Sequence, residues 1–375
     1  MFVLQQLVTP TSLSFSAMTQ LRPEFQPDMA SPSNGPHGLD AAMRIVVIDR
    51  ALALLHEHYV FPDVAQQMET AIRHHQQQGV YDAITSALAF RARLEDDLRA
   101  ISKDKHLGIF YSAEPQPEQL NHGEPTEKEI EAFRAHFARQ NFGFERVERL
   151  PGNIGYVDFR CFGPPDLIAE TVAAVFTVLG HTNALIMDLR ENGGGDPAGV
   201  ALVSSYLFDR PTHLNDIYHR RDDRTEQFWT LPYVPGRRLA GTDVYVLTSD
   251  HTFSGAEEFA YNLKNLKRAK IIGEVTGGGA HPVSGHRIND HFGIGVPFAR
   301  AINPITKTNW EGTGVEPDEK VPAHLALHTA HLQALGNLRT KETDPRNQHE
   351  LDDAIARVRR EFDRVQNSWV SSDPS

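Results

Sequence analysis

The hydrophobic positions between residues 40 and 101 recur at the spacing of an α-helix. Asp40 is a typical N-cap, and apolar residues follow it at steps of three and four. The predicted apolar face of this first helix consists of Ala41, Ile45, Ile48, Leu52, Leu55 and Tyr59. Two further helical segments follow after short loops, which favour a compact bundle over the alternative of a coiled-coil face. The pattern therefore predicts an N-terminal helical domain over residues 40–105.

From Asn153 onward, strand-like apolar runs alternate with helical segments. Ala184–Leu189 is almost continuously apolar, which is typical of a strand buried on both faces. The alternation predicts an α/β fold with its core over residues 153–340. The predicted strands are 154–159, 184–189, 244–247 and 269–273, and the predicted helices lie near 166–179, 199–207 and 254–266.

The remaining segments carry less regular patterns. Residues 1–38 are rich in Pro, Ser and Gly, which predicts a disordered tail. Residues 106–152 are expected to hold a short strand, a linker and a helix. Residues 341–375 are charged, and they predict one amphipathic helix around Leu351–Val365 followed by a polar tail.

Composition and charge restrict the function classes. The formal net charge of the 375 residues is −12, and there is no basic patch, which argues against nucleic acid and anionic lipid as partners. No apolar run approaches the ~20 residues that span a membrane. Met1–Met18 lacks the basic residues that begin a signal peptide, so a cytoplasmic location is favoured over export. The single cysteine, Cys161, is interpreted as a small buried hydrophobic residue rather than a nucleophile.

Ser254 follows a predicted buried strand and a polar loop, and it stands at the start of a predicted helix. A helix N-terminus carries partial positive charge and free N–H groups, so the Ser254 hydroxyl could act as a nucleophile with Gly255 N–H facing an oxyanion. On this segment alone, a plain N-cap is the favoured interpretation. The nucleophile elbow of α/β-hydrolases is absent, because Thr252 and Ala256 stand where that motif needs glycine.

Three other segments carry candidate chemistry. Gly193–Gly195 directly after a strand could form an anion-binding nest, although a tight turn is the alternative and the residues of a P-loop are missing. His106, one of 19 histidines, lies at a strand edge and is a candidate general base. Glu311 would by itself be a solvated carboxylate. The cluster of His281, His286 and His291 with Asp290 is interpreted as a polar surface loop rather than a metal site.

Taken in order, these segments resemble the tail-specific (C-terminal processing) protease family, which has a crotonase-like α/β core. The resemblance covers roughly residues 40–330 and rests on the stretches GNIGYVDF, DLRENGGGDPAG, TSDHTFSGAEEFAY, IIGEVTGGG and GTGVEPD. One branch of the family uses a Ser–Lys dyad whose lysine lies 25 residues after the serine. Here that position is Gly279, so the dyad is excluded. The interval from Tyr111 to Asn153 is also too short for the PDZ domain of that branch.

The other branch includes the tricorn core, nisin-resistance proteins and the modules of interphotoreceptor retinoid-binding protein. It takes a histidine from the region before the core, which His106 matches, and Glu311 matches a glutamate of tricorn. The resemblance therefore implies a serine peptidase with Ser254, His106 and Glu311 as catalytic residues and no metal or organic cofactor. Gly255 with Gly193 or Gly194 would form the oxyanion hole, and Ser102 is a candidate link between Glu311 and His106.

Two other functions share these features. The N-terminal helices look most like the retinoid-binding-protein-like subgroup, so a non-catalytic lipid or retinoid-type binding module is one alternative. A small-molecule esterase or amidase is the other. The peptidase, with a peptide or protein substrate, is favoured because a lipid carrier needs neither the three side chains nor the triple glycine. Arg220 and Arg221 could bind a substrate carboxylate, although ordinary surface charge is the favoured interpretation.

Overall fold

The computed structural model describes residues 39–115 and 127–370. The predicted tail over residues 1–38 lies outside this range, and so do most of the predicted linker and the last five residues.

Three helices form the N-terminal region, and their ends follow from local chemistry. Asp40 Oδ1 accepts a hydrogen bond from Met43 N at 2.7 Å and caps the first helix. The predicted inward face is wrong at its start, since Ile45 is 51% exposed whereas Val47 and Leu54 are buried. The helices are α1 (Ala41–His58), α2 (Pro62–Gln77) and α3 (Ala87–Ser102).

The N-terminal helices pack on strands that come from much later in the chain. Strand β1 (Gly108–Tyr111) pairs antiparallel with β10 (Phe292–Pro297), which pairs with β9 (Val283–Arg287). Leu98, Ile109 and Ile294 are fully buried in the same hydrophobic cluster as the helices. The helical domain is therefore completed by a segment of the core, and β1 is anchored beside residues 283–297.

A six-stranded sheet forms the centre of the molecule. Its strands are β2 (Phe144–Leu150), β3 (Ile154–Phe159), β4 (Ala184–Asp188), β7 (Asp243–Thr248), β8 (Lys270–Gly273) and β12 (Glu319–Lys320). Their order across the sheet is β12-β8-β7-β4-β3-β2. Strands β12, β8, β7, β4 and β3 run parallel, and β2 pairs antiparallel at the edge.

The predicted α/β class with an N-terminal helical region is confirmed. The crotonase-like character of the core stays a prediction.

Helices cover both faces of this sheet. Along β4, Leu185 and Met187 belong to the hydrophobic cluster on one face, and Ala184 and Ile186 belong to the cluster on the other. The first cluster includes α5 (Pro165–Val178), α6 (Pro197–Ser205) and α7 (Gly255–Asn265), and the second includes α8 (Ala323–Lys341) and α9 (Pro345–Val370). Helix α9 is longer than predicted, and Leu351, Ala354 and Val358 within the predicted charged segment are buried.

A third sheet was not predicted from the sequence. Its strands are β5 (His213–His219), β6 (Arg224–Trp229) and β11 (Ala299–Ile302). They run antiparallel in the order β11-β5-β6. Helix α4 (Glu127–Arg139) and a 3₁₀ turn (Asn141–Gly143) lead into β2.

Candidate active site

Ser254 occupies a strained position between β7 and α7. Its backbone has φ 54° and ψ −121°, a conformation that a residue with a Cβ rarely adopts. Strain of this kind persists where neighbouring contacts enforce it, and it is concentrated at functional sites. Here Glu257 Oε2 accepts from Ser254 N at 2.8 Å, and Asn192 O accepts from Phe253 N at 3.0 Å. Ser254 therefore stands at the helix N-terminus as predicted, but in a conformation that an ordinary N-cap does not need.

The Glu257 carboxylate holds the loop around Ser254 together. It is fully buried, and it accepts hydrogen bonds from Gly278 N at 2.6 Å, Gly279 N at 2.8 Å and Thr276 Oγ1, besides Ser254 N. Burial raises its pKa, while the hydrogen bonds act in the opposite direction. Glu257 was not predicted as a functional residue, although it lies within the TSDHTFSGAEEFAY stretch.

His106 contacts Ser254 directly. The distance from His106 Nε2 to Ser254 Oγ is 3.1 Å, although the two residues are 148 positions apart. Asp104 Oδ1 accepts from His106 N at 3.0 Å, and the ring centroid lies 4.6 Å from that of Phe253. Burial lowers the pKa of His106 to about 4, so the imidazole is neutral at neutral pH and its Nε2 can accept a proton. Among the described residues, none pairs with the buried Nδ1.

Next to His106 lies a group of three charged residues, Asp104, His281 and Glu311, of which the first two are buried and Glu311 is partly buried. This grouping was not predicted from the sequence. His281 Nδ1 is 2.7 Å from Asp104 Oδ2 and 3.4 Å from Glu311 Oε2. Burial lowers the pKa of His281, but the hydrogen bond and charge of Asp104 outweigh it, and the net shift is upward. Only 5% of His281 is exposed, so its interpretation as part of a surface loop is wrong. The one available signal was its place two residues after the IIGEVTGGG stretch.

Glu311 lies in this group, but it is not hydrogen-bonded to His106. Its Oε2 accepts from Ala280 N at 2.5 Å, and its buried Oε1 has no partner among the residues described. Burial raises the pKa of Glu311 to about 7, with the neighbouring Asp104 adding to the effect. Ser102 Oγ accepts from Asp104 N at 3.2 Å, so it supports Asp104 rather than linking Glu311 to His106.

Asp104, His106 and Glu311 each present one potential ligand atom, and these atoms lie within 4.8 Å of one another. That spacing is compatible with a shared metal ion. His281 Nδ1 lies against Asp104 Oδ2 and Glu311 Oε2, so an imidazole is a direct neighbour of both carboxylates. The expectation that the site needs no metal stays a prediction.

The glycine turn after β4 packs against Ser254, but its amides differ from the prediction. Gly194 N donates to Asn192 Oδ1 at 2.9 Å, so it is engaged within the turn. Gly193 is exposed, and nothing lies within 4 Å of the position that its Cβ would take. Both Gly194 and Gly195 lie against Gly255: a Cβ on Gly194 would lie 2.6 Å from Gly255 N, and a Cβ on Gly255 would lie 3.0 Å from Gly195 N. Within the described ranges, neither Gly195 N nor Gly255 N donates to a protein acceptor.

A cavity of about 390 Å³ adjoins Ser254, Gly255 and Gly195. No lysine or arginine lines it within the described part of the chain. Arg220, a predicted carboxylate-binding candidate, instead donates through Nη1 to Tyr59 O at 2.7 Å and to His56 O at 3.2 Å. Arg221 is exposed and also lies outside the lining. The cavity is therefore walled mainly by apolar and acidic side chains, and His219 also belongs to its lining.

Two sequence comparisons decide the family. Residues 153–321 match the sequence model of peptidase family S41, and residues 41–140 match the N-terminal domain of peptidase S41 in eukaryotic IRBP. The chain belongs to peptidase family S41. The family predicted from the ordered motifs is thereby confirmed, and the two matched segments correspond to the N-terminal helical region and the α/β core of this S41 chain.

Individual relatives cover less of the S41 chain. It is 30% identical over 189 residues to carboxyl-terminal-processing peptidase 2, chloroplastic, of Arabidopsis thaliana, covering 47% of this chain and 35% of that protein. It is 34% identical over 102 residues to the tail-specific protease of Haemophilus influenzae, covering 25% of this chain and 13% of that protein. The chain thus spans about a third or less of the length of these curated relatives.

The same fold occurs in a solved structure. The crystal structure of a candidate peptidase from Parabacteroides merdae has a TM-score of 0.52 and 17% identity, covering 74% of this chain and 90% of that chain.

Two further observations concern membrane-spanning helices and the single cysteine. None of the described helices is both long and apolar enough to cross a bilayer. Burial raises the pKa of the Cys161 thiol to about 12, so this cysteine is not an activated nucleophile.

Proposed function

We propose that this protein is a serine peptidase that cleaves peptide bonds through an acyl-enzyme, with Ser254 as nucleophile and His106 as general base. The contact between His106 Nε2 and Ser254 Oγ, at 3.1 Å, carries the proposal. Membership of family S41 supports the same reaction class. The strained conformation of Ser254 supports it too, since a serine that only capped the helix would not need a positive φ.

In the proposed first step, Ser254 Oγ attacks the peptide carbonyl carbon while His106 Nε2 takes the hydroxyl proton. The carbonyl π electrons move onto oxygen, and the N–H groups of Gly255 and Gly195 donate hydrogen bonds to this oxyanion. Gly195 takes the role first assigned to Gly193 or Gly194, because the Gly194 amide is already bonded to Asn192. Each such donor is worth ~3 kcal/mol of barrier.

The tetrahedral intermediate then collapses. The C–N bond breaks, the leaving amine takes the proton from His106, and the acyl group stays on Ser254. Water attacks the ester carbonyl while His106 accepts one of its protons. The bond between the acyl carbon and Ser254 Oγ then breaks, and His106 returns the proton to Oγ, which releases the carboxylic acid and regenerates the serine.

In this proposal, Asp104, His281 and Glu311 support His106. Asp104 accepts a hydrogen bond from the backbone N–H of His106 and so fixes its backbone. Together with Glu311, Asp104 supplies negative charge that stabilises the imidazolium. Glu311 thus keeps its predicted role, but by charge and not through the contact proposed with Ser102. His281 holds both carboxylates in place.

Covalent labelling with a fluorophosphonate tests the proposal. Intact-mass analysis should show one adduct on the wild type and none on Ser254→Ala, and labelling of His106→Ala should be slower by ~10²–10⁴-fold. His251→Ala is the matched control, because this exposed histidine lies three residues before Ser254 and should leave labelling unchanged. A folded wild type that takes up no probe, or a Ser254→Ala variant that labels like the wild type, would overturn the proposal.

A further inference from the structure

The cavity beside Ser254 is large and deep enough to enclose a side chain. Its volume of about 390 Å³ falls within the range of small-molecule pockets. The third sheet, the Pro-rich start of α5 and the segment after Gly279 supply apolar walls. The apolar residues that line it include Pro164, Ile217, Phe228, Phe298, Ala301 and Trp310.

Glu258 places a carboxyl group in this apolar surrounding. It lines the cavity, only 4% of it is exposed, and its Oε1 has no hydrogen-bond partner within the described residues. Asn215 and Asn262, both fully buried, lie beside this carboxyl group and lower its pKa by hydrogen bonding, although neither side-chain nitrogen is close and aligned enough for a full hydrogen bond. A buried carboxyl group whose hydrogen bonding is incomplete is costly, so a cavity-lining residue in this state is a candidate ligand-binding residue.

Acidic side chains predominate among the charged residues around the cavity. Asp196, Glu226 and Asp166 line it with Glu258, and His219 is the one basic side chain in the described lining. Glu226 Oε2 lies 3.4 Å from His219 Nε2 and from Arg224 Nη2, and Asp166 Oδ2 lies 3.6 Å from Arg134 Nη2. Glu258 has no such cation beside it within the described residues. Burial raises its pKa to about 8, and the charge of Asp196 adds to this shift. A cation that entered the cavity would therefore favour the ionised form of the Glu258 carboxyl group.

The position of the cavity relative to His106 indicates which part of a substrate enters it. Ser254 and the amides of Gly255 and Gly195 border the cavity, whereas His106 does not. His106 must protonate the leaving amine, so the leaving half of the substrate lies toward His106. The cavity is then on the acyl side, where the residue that supplies the attacked carbonyl projects its side chain.

We propose that the cavity binds the side chain of a lysine or arginine at this position, with Glu258 as the residue that determines specificity. The inference rests on the proposed peptidase function. The apolar walls contact the aliphatic stem, and the carboxyl groups receive the ammonium or guanidinium group. Binding of the cation supplies the positive partner that Glu258 lacks.

Three peptidyl diphenyl phosphonates test this assignment. They share one sequence and differ only in the side chain next to phosphorus, which is that of lysine, norleucine or glutamate. Norleucine keeps a similar aliphatic stem without the charge. In the wild type, the lysine probe should label Ser254 at least ~10-fold faster than the norleucine probe, and the glutamate probe should be slowest.

The Glu258→Gln variant tests the residue itself. This change keeps the size of the side chain and removes its charge, so the lysine-to-norleucine ratio of labelling rates should fall by about 10-fold. The simple fluorophosphonate, which has no such side chain, is measured on the same variant, and both peptidyl rates are divided by its rate so that a general change in the reactivity of Ser254 does not alter the ratio. Glu170→Gln is the matched control, because Glu170 is exposed on α5 and lies outside the cavity.

The outcomes separate the two proposals. If the fluorophosphonate labels Ser254 but norleucine reacts as fast as lysine in the wild type, the cavity assignment fails and the peptidase proposal stands. If the lysine preference survives unchanged in a folded Glu258→Gln variant, Glu258 is not the determinant. If neither probe class reacts with the folded wild type, both proposals fail together. The wild-type ranking decides the main point even if the variant does not fold.

Discussion

The imidazole ring of His106 occupies the space that a side chain at Gly279 would need. A Cβ on Gly279 would lie 2.6 Å from His106 Cε1 and 2.3 Å from Phe253 Cζ, both well inside van der Waals contact. Position 279 is where the Ser–Lys branch of the family, as described from sequence resemblance, carries its lysine. In this fold, a side chain at position 279 and the observed position of the His106 ring exclude each other. The glycine in place of lysine at 279 is therefore what allows His106 to lie beside Ser254.

Gly279→Ala should therefore impair the site more than the added methyl group suggests. The new Cβ must displace the ring of His106 or Phe253, and misplacing a reacting group by about 1 Å can cost ~10²-fold in rate. We expect kcat/KM to fall by about this factor, measured on a peptide substrate. Gly193→Ala is the matched control, because nothing lies within 4 Å of its Cβ position. Equal activity of the Gly279→Ala variant and the wild type would contradict the geometry.

The lowered pKa of His106 predicts activity at acidic pH. A general base must be neutral to accept a proton, and burial lowers the pKa of this histidine to about 4. A histidine with an ordinary pKa near ~6.5 would be only about 10% neutral at pH ~5.5. Lowering the pKa keeps the base in its active form and moves the acid limb of the pH profile to lower pH.

Glu311 complicates this profile, because its pKa is raised to about 7 and its ionisation adds negative charge near His106. The measurement is therefore kcat/KM against pH in both the wild type and Glu311→Gln. The wild type should gain activity as Glu311 ionises through pH about 7. The variant should lack that step, and its kcat/KM at pH ~5.5 should stay within about 2-fold of its value at pH ~7.5. A limb near ~6.5 in the variant would contradict the lowered pKa.

His281 is predicted to stabilise the fold through the two carboxylates beside it. His281→Asn removes their positive partner and leaves Asp104 and Glu311 buried together, so the free energy of unfolding should fall by ~3–5 kcal/mol. Chemical denaturation measures this loss. Adding Glu311→Gln should recover part of it, because one of the two uncompensated charges is gone. Exposed His251→Asn should change stability by less than ~0.5 kcal/mol, and a similarly small effect at His281 would contradict the ion-pair assignment.

Arg220 is predicted to connect the third sheet to the N-terminal helices and not to bind substrate. Its two hydrogen bonds to backbone carbonyl groups of residues 56 and 59 should make Arg220→Ala less stable by ~1–3 kcal/mol. The ratio of kcat/KM for a peptide with a free C-terminal carboxylate to that for its amide should not change. Arg221→Ala, at the exposed neighbour, serves as the control. A selective loss on the free carboxylate in Arg220→Ala, at unchanged stability, would favour the substrate-binding interpretation.

The sequence determined those features that depend on neighbouring residues. The buried run at 184–189 marks a central strand because a strand covered on both faces must be apolar throughout. Ser254 was placed at a helix N-terminus by the change of pattern around it, and the ordered motifs identified the family. The N-terminal helices were found by their spacing, although the face of α1 was wrong at its start because tertiary contacts decide which of several apolar residues is buried.

Contacts between distant segments follow from the tertiary fold and not from any local pattern. Strand β1 needs β10 as its partner, and this pairing across more than 180 residues leaves no local pattern. The same pairing anchors His106 near Ser254 and His281 beside Asp104, so this group of charged residues could not be inferred from spacing. The amides of the triple glycine also look alike in sequence. Hydrogen bonding in the folded turn engages the Gly194 amide, whereas the Gly195 amide has no protein acceptor among the described residues, because the path of the backbone fixes where each N–H group points.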